Sequence, residues 1–268
     1  MSLIDAEAAP RSAAGERARI VAVANQKGGV GKTTTTVNLA AAFAARGRRV
    51  LVIDLDPQAN ATTGLGLGDA QSATSYELLL GEAELSAAVV ASTVPGLRVV
   101  AASPDLAGVE IETGARGRRE FLLADRLRAR TGDYDDVLID CPPSLNLLTI
   151  NALTAADQVL VPLQCEFYAL AGLAQLVGTI ERVQHSLNPR LKLQGVVLTM
   201  YDRRNNLCEL VAADVRGHFG DKVYKTVIPR NIRVSEAPSH GLPVLVYDQR
   251  CAGAQAYLKL AAEMLDHE

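Results

Sequence analysis

Asn25-Gln26-Lys27-Gly28-Gly29-Val30-Gly31-Lys32-Thr33-Thr34-Thr35 is the stretch on which the reading of this chain turns. It follows an apolar run at residues 20–24 and precedes a helix-periodic run at 33–46 that closes at Gly47. The local order is therefore strand, glycine loop, helix. Glycines let the backbone turn tightly and aim N–H groups at an anion. The helix N-terminus adds its partial positive charge. Lys32 has the reach for the β- and γ-phosphates of a nucleotide, and the Thr33 hydroxyl is placed to hold Mg²⁺. An ordinary strand–helix turn has no need of Gly31-Lys32-Thr33 at that junction.

Outward from this loop, short apolar runs recur at 50–53, 97–100, 137–139, 158–161, 195–198 and 223–228. Several are apolar at successive positions, the pattern of strands buried on both faces of a parallel sheet. Helical stretches, among them 169–187 and 252–265, lie between them. The alternation predicts an α/β fold, a sandwich with a central, mostly parallel twisted sheet flanked by helices; with the glycine loop ahead of its first helix, the expected class is a P-loop NTPase. No repeat or composition break divides residues 19–268, which are read as one domain. Residues 1–18, with six Ala, two Ser, one Gly and five charged residues, are read as a flexible arm, not a secretory signal, because they contain no apolar core.

The chain has 268 residues, 49% of them hydrophobic, enough for a core without disulfides. With 27 Lys+Arg against 30 Asp+Glu, the net charge is −3. A globally basic nucleic-acid coat is excluded, so any DNA contact needs a local patch. Seven Tyr, four Phe and no Trp argue against a base-stacking single-strand binder. No run of about 18 apolar residues is present, so no membrane span is expected. Cys141, Cys165, Cys208 and Cys251 show no metal-ligand spacing and read as free thiols in a reducing cytoplasm. Residues 116–130 hold six Arg and two acids. They are read as a solvated helix face with Phe121, Leu122 and Leu127 turned inward.

Two acidic motifs each end an apolar run: Asp54-Leu55-Asp56-Pro57-Gln58 and Asp140-Cys141-Pro142-Pro143-Ser144. Nucleotide phosphates in such folds sit at the carboxyl ends of parallel strands, where a carboxylate serves Mg²⁺ or the attacking water. The strict phosphate-loop pattern places glycine six residues before the lysine, and here that position is Gln26. An additional lysine, Lys27, stands at the start of the loop instead.

That loop resembles the deviant Walker A motif of the ParA/MinD group of P-loop ATPases. The resemblance extends over nearly the whole chain after Arg19 and is strongest to the ParA/Soj chromosome-partition branch. It rests on residues 25–35, 54–60 (DLDPQAN), 140–144 and 228–241 (IPRNIRVSEAPSHG). Ala59 stands where the family commonly has glycine. The resemblance implies ATP/ADP and Mg²⁺ as ligands. Gly28, Gly29, Val30, Gly31, Lys32, Thr33 and Thr34 would surround the phosphates. Lys27 would be the signature lysine that crosses a homodimer interface to the partner's nucleotide. Asp56 would position the water, Asp140 would act on Mg²⁺ through water, and Pro229 and Asn231 would meet adenine.

The resemblance further implies an ATP-dependent homodimer that holds double-stranded DNA without sequence preference. Arg204 and Arg233 fall where the family has basic DNA contacts, in a window (201–233) with seven Lys/Arg and four acids. A ParB-like centromere-binding protein would stimulate hydrolysis, and the protein would work in the cytoplasm on the nucleoid. The alternative is a MinD-like, membrane-associated division-site ATPase, which needs a basic amphipathic C-terminal helix. Residues 253–268 carry one Lys and three acids, which speaks against it. An iron–sulfur ATPase lacks its cysteine pattern here. A transcription regulator would need a helix-turn-helix that residues 1–19 are too few to form.

Overall fold

The computed structural model describes residues 17–68, 71–128 and 131–266. Most of the expected arm, residues 1–16, lies outside the described residues, as does Arg130. Among the described residues, seven strands form one sheet: β1 (Arg19–Val23), β2 (Val50–Asp54), β3 (Val89–Ala91), β4 (Leu97–Val100), β5 (Asp136–Asp140), β6 (Gln158–Gln164) and β7 (Lys192–Thr199). Their order is β3-β4-β2-β5-β1-β6-β7. Every pairing is parallel except β3 with β4. Five helices among the described residues are nine or more residues long: α1 (Lys32–Ala45), α2 (Leu147–Ala155), α3 (Ala169–Ser186), α4 (Asn206–Phe219) and α5 (Ala252–Asp266).

Successive strand side chains point to opposite faces. Ile20, Ala22, Leu51 and Ile53 enter one core layer with residues of α2, α3 and α4. Val21, Val23, Val50 and Val52 enter the other, with Leu39 and Phe43 of α1 and Tyr257 and Leu260 of α5. Both faces are dry, which explains the unbroken apolar runs. At the opposite end of the sheet from the glycine loop, the buried Asp136 carboxylate receives Arg19 and Arg48. The pairing compensates a charge that is costly to bury alone.

The segment 223–228 differs from the expected strand. It meets the sheet through isolated contacts, with the Tyr224 and Ile228 amides donating to the Val196 and Leu198 carbonyls at 3.0 and 2.8 Å. Between them the Lys225 and Thr226 amides donate to the Glu263 carboxylate of α5, so no continuous ladder forms. Gly195 permits the approach: a Cβ there would lie 2.7 Å from the Tyr224 ring. Strand β3, antiparallel at the sheet edge, was not anticipated; it is only three residues long.

The arginine-rich segment also differs. It breaks at Arg118, with φ +60°, into a 3₁₀ turn, Arg119–Phe121, and a short helix, Leu122–Leu127. Leu123 and Leu127 are the buried residues, while Phe121 and Leu122 are half-buried. Arg118, though exposed, stacks its guanidinium over the Phe121 ring.

One further left-handed residue lies close to the glycine loop. Ala59 has φ +52° and ψ 33°, immediately before the short helix Asn60–Gly64. Its amide donates to the Asp56 carbonyl at 2.9 Å, so the strained conformation closes the turn that carries Asp56. An L-residue pays about 1–2 kcal/mol in this region, and glycine returns about 0.4–1 kcal/mol of that through its freer unfolded chain. Ala59→Gly is therefore expected to raise the thermal midpoint by about 1–4 °C, measured by scanning calorimetry. A lower midpoint would mean that the strain at Ala59 is smaller than the entropy that glycine costs.

Candidate nucleotide-binding site

The register of three adjacent strands assembles the site. Val23 and Asp54 both lie beside Asp140 across the β1–β5 and β2–β5 pairings. The loop after β1, the acidic segment after β2 and the end of β5 thus meet at one edge. Asn25 anchors the loop: its Nδ2 donates to the Pro162 carbonyl at 2.8 Å, and its Oδ1 accepts from the Lys27 amide at 3.1 Å. Val30 is buried, and its carbonyl accepts the Thr199 hydroxyl at 2.7 Å. Gly29 and Gly31 have φ of +74° and +89°. A Cβ on Gly29 would meet no heavy atom within 4 Å, so this part of the loop faces open space.

A cavity of about 350 Å³ lies against the loop, lined by Gly28, Gly29, Gly31, Lys32, Thr33 and Thr34, with Asp56 and Pro143 opposite. Lys32 is only 6% exposed, and its Nζ donates to the Lys27 carbonyl at 3.2 Å. Burial draws the Lys32 pKa down, opposed first by the Asp140 carboxylate and more weakly by Asp56. Asp140 is fully buried. Its Oδ1 accepts the Thr36 hydroxyl at 3.0 Å, while its Oδ2 has no hydrogen-bond partner. Burial and then the Asp54 charge push its pKa well up, opposed by the neighbouring Thr33 and Thr36 side chains, of which Thr36 makes the hydrogen bond. Asp54, raised chiefly by burial, accepts from the Thr62 amide and hydroxyl at 2.9 and 2.8 Å. It also accepts from the Asp56 amide at 3.1 Å and so fixes the turn on which Asp56 sits.

A buried ammonium, a turn of open amides and an orphaned buried carboxylate oxygen fit the two halves of a magnesium nucleotide. Among the described residues, no group of three or more His, Cys, Asp and Glu is arranged to hold a metal alone. That suits Mg²⁺, which characteristically shares one or two carboxylates with substrate phosphates.

The other predicted residues lie elsewhere. Lys27 does not line the phosphate cavity; its ammonium pairs with Glu166, just beyond β6. Pro229 and Asn231 line a separate cleft of about 980 Å³. It adjoins the phosphate cavity through the consecutive residues Met200 and Tyr201. Asn231 also caps the short helix Ile232–Glu236, its Oδ1 accepting from the Val234 amide at 3.3 Å. Arg204 is 89% exposed on its side chain but forked onto Asp202 at 3.0 and 2.9 Å. Arg233 pairs with Glu236 at 2.9 Å and Asp248 at 3.6 Å. Sequence reasoning missed Thr36, one helical turn after Lys32, and Asn25, Thr62, Glu166 and Thr199. Only Thr36 had a positional signal.

The fold and the loop define a P-loop nucleotide-binding protein. A family model described as an AAA domain matches residues 18–193. The chromosome partitioning protein ParA of Caulobacter vibrioides is 64% identical over 253 residues, covering 93% of this chain and 95% of that protein. The sporulation initiation inhibitor protein Soj of Bacillus subtilis is 53% identical over 247 residues, 92% of this chain and 98% of its own. The chain belongs to the ParA/Soj family of chromosome-partitioning ATPases. A solved structure, described as cobyrinic acid a,c-diamide synthase from Mycobacterium smegmatis with bound ATP analogue and magnesium, superposes with a TM-score of 0.84. It has 42% identity and covers 93% of this chain and 95% of its own.

The buried carboxylates make a stability prediction. Asp140 titrates above its unfolded value of about 3.9, so the folded state retains a proton that the unfolded state loses. Its contribution to stability therefore falls as pH rises from about 4. Without nucleotide or divalent metal, Asp140→Asn should melt higher than wild type at pH 8, by about 2–4 °C per kcal/mol of relieved charge burial. The difference should shrink at pH 5. Differential scanning fluorimetry at the two pH values checks this, and a variant that melts lower at pH 8 would refute it.

Proposed function

We propose that this protein is an ATP-dependent DNA-segregation ATPase of the chromosome- or plasmid-partitioning kind. ATP joins two copies face to face across their nucleotides, the dimer holds double-stranded DNA through its phosphates, and hydrolysis releases it. The observation that carries this reading is the division of labour between two lysines on one loop. Lys32 is sunk in the phosphate cavity, whereas Lys27 lies outside its own cavity and is about half exposed. A lysine so placed can serve a second subunit's nucleotide. The names of the ParA and Soj relatives support the partitioning role.

In this reading Lys32 and the amides of residues 28–34 hold the phosphate chain. Thr33, and Asp140 through water, would hold Mg²⁺, which when bound would supply neutralisation of the developing phosphate charge. Asp56, on its fixed turn, orients the water toward the γ-phosphorus; ADP and phosphate leave. Lys27 from the other subunit neutralises charge in the transition state, the part of an arginine finger, worth about 10³–10⁵ in rate. Pro229 and Asn231 receive adenine at the apolar side of the large cleft. Arg204 and Arg233 contact DNA phosphates once these compete with their carboxylate partners. The same cleft carries Arg203, Lys225, Arg230 and Lys259 against a single acid, Asp202, which makes it locally basic on an acidic protein. A ParB-like partner accelerates turnover on the nucleoid.

A membrane role finds no support in the C-terminal helix. Tyr257, Leu260 and Met264 of α5 are buried in the core layer shared with α1. No helix among the described residues is long and apolar enough to cross a membrane.

The test is DNA binding by fluorescence anisotropy with ATP against ADP, alongside liposome sedimentation. Wild type should bind DNA far more tightly with ATP, and Lys32→Ala should lose the nucleotide dependence. Arg204→Ala with Arg233→Ala should still dimerise but lose DNA uniformly across sequences. The slope of log K against log salt should flatten by about 0.9 per phosphate contact removed. An Arg118→Glu, Arg119→Glu variant should bind DNA normally. Loss of DNA binding there, with retention in the Arg204/Arg233 variant, would move the DNA to the other surface. Liposome binding without DNA binding would replace the reading altogether.

A second prediction separates binding from turnover. Asp56→Ala should bind ATP and accumulate as an ATP dimer because the phosphate contacts remain. Lys27→Ala should bind ATP as a monomer. Light scattering with ATP checks both, and a monomeric Asp56→Ala or a dimeric Lys27→Ala would contradict the assigned roles.

A further inference from the structure

The Lys27 ammonium is not loose. Its Nζ forms an ion pair with Oε2 of Glu166, a residue that neither the phosphate cavity nor the large cleft uses. Both ends are fixed by backbone bonds. Asn25 accepts from the Lys27 amide and donates to Pro162 on β6, four residues before Glu166. The Glu166 amide donates to the Gln164 carbonyl at 2.9 Å, and its own carbonyl accepts the Ala169 amide at 2.9 Å, at the start of α3. The β6–α3 turn therefore holds a carboxylate at a set place beside the glycine loop. The Glu166 side chain is 41% exposed, and Phe167 and Tyr168 after it are each 75% exposed, so the turn contributes little to the core.

We propose that Glu166 is a positioning residue for Lys27, parking its ammonium on its own protomer until a second copy docks and draws it across the interface. This rests on the homodimer reading given above. The ammonium cannot pair with Glu166 and reach another subunit's nucleotide at once, so each protomer must break the pair to assemble. An exposed ion pair favours its paired state by only about 1.4- to 5-fold. Glu166 therefore biases assembly without blocking it. Two pairs break per dimer, and the effects multiply to about 2- to 30-fold in the dimer dissociation constant. The device restrains dimerisation at low ATP, and the nucleotide contacts overcome it when ATP is bound.

The test uses the full chain on an Asp56→Ala background, which keeps the ATP state from turning over. Sedimentation with saturating ATP and Mg²⁺ should show Glu166→Gln dimerising about 2- to 30-fold more tightly than its parent. Glu166→Asp, which keeps the charge, should stay near the parent. A zero-length carbodiimide, which joins a carboxylate to an amine with loss of water, gives a readout that a merely structural role would not move. In nucleotide-free protein it should link Glu166 to Lys27 within one chain, as read by peptide mass spectrometry. In the ATP dimer that link should be depleted several-fold. An equal or weaker dimer for Glu166→Gln, or an undiminished link in the ATP dimer, would overturn the proposal. A parent that binds ATP but stays monomeric would instead show that the homodimer reading has failed, and the parking role would fall with it.

Discussion

Charge held out of water at the carboxyl ends of β1, β2 and β5 is the constraint around which the rest of the molecule is arranged. The parallel register sets Asp54 beside Asp140, and the helix that follows the glycine loop brings Lys32 into the same dry edge. Buried charges of this kind shift toward neutrality unless something compensates them. Asp140 titrates high and Lys32 low for the same reason, burial. The complement of that arrangement is a polyphosphate together with a divalent cation, which supplies an anion to the lysine and a cation to the carboxylates. The dry sheet on both faces keeps water from doing the same.

Asp54 links this edge to its surroundings. Its carboxylate holds Thr62 and the Asp56 amide, the Thr62 hydroxyl accepts the Ala102 amide at 2.9 Å, and Ser75 donates to the Asp54 carbonyl at 2.6 Å. The segment that carries Asp56 is thus tied to the ends of two strands and to the short helix Asn60–Gly64. Ala59, left-handed in the middle of this turn, is the one backbone position there that works against its own side chain.

On the surface, the basic groups with proposed roles are already partnered. Lys27 sits on Glu166, Arg204 on Asp202 and Arg233 on Glu236. Exposed pairs are weak and screened by salt. They orient the cations while leaving them exchangeable for other anions.

The glycine loop, the strand–helix alternation, both acidic motifs and the two core layers were legible in the sequence because each depends on near neighbours. Periodicity reports which faces are dry, and a loop's glycines report its turn. Residues 223–228 were read as a strand from the same apolar signal. They are not one, because Glu263, 37 residues beyond Thr226, takes two amides that a ladder would have used. The arginine-rich segment was read as one solvated helix face and is broken at Arg118, with Leu123 in place of Phe121 and Leu122 as the buried residue.

By itself, then, the sequence determined the central strands and main helices, their mostly parallel arrangement and the residues that bear the chemistry of the phosphate loop. The tertiary structure alone decided which charges meet. Glu166 lies 139 residues from Lys27, Asp140 lies 104 from Thr36, and Asn25 lies 137 from Pro162. No local pattern encodes such encounters, because electrostatic and hydrogen-bond partners are chosen by strand order and register. Those are consequences of packing the whole sheet at once, and they turned two lysines five residues apart into one buried group and one exposed, parked group.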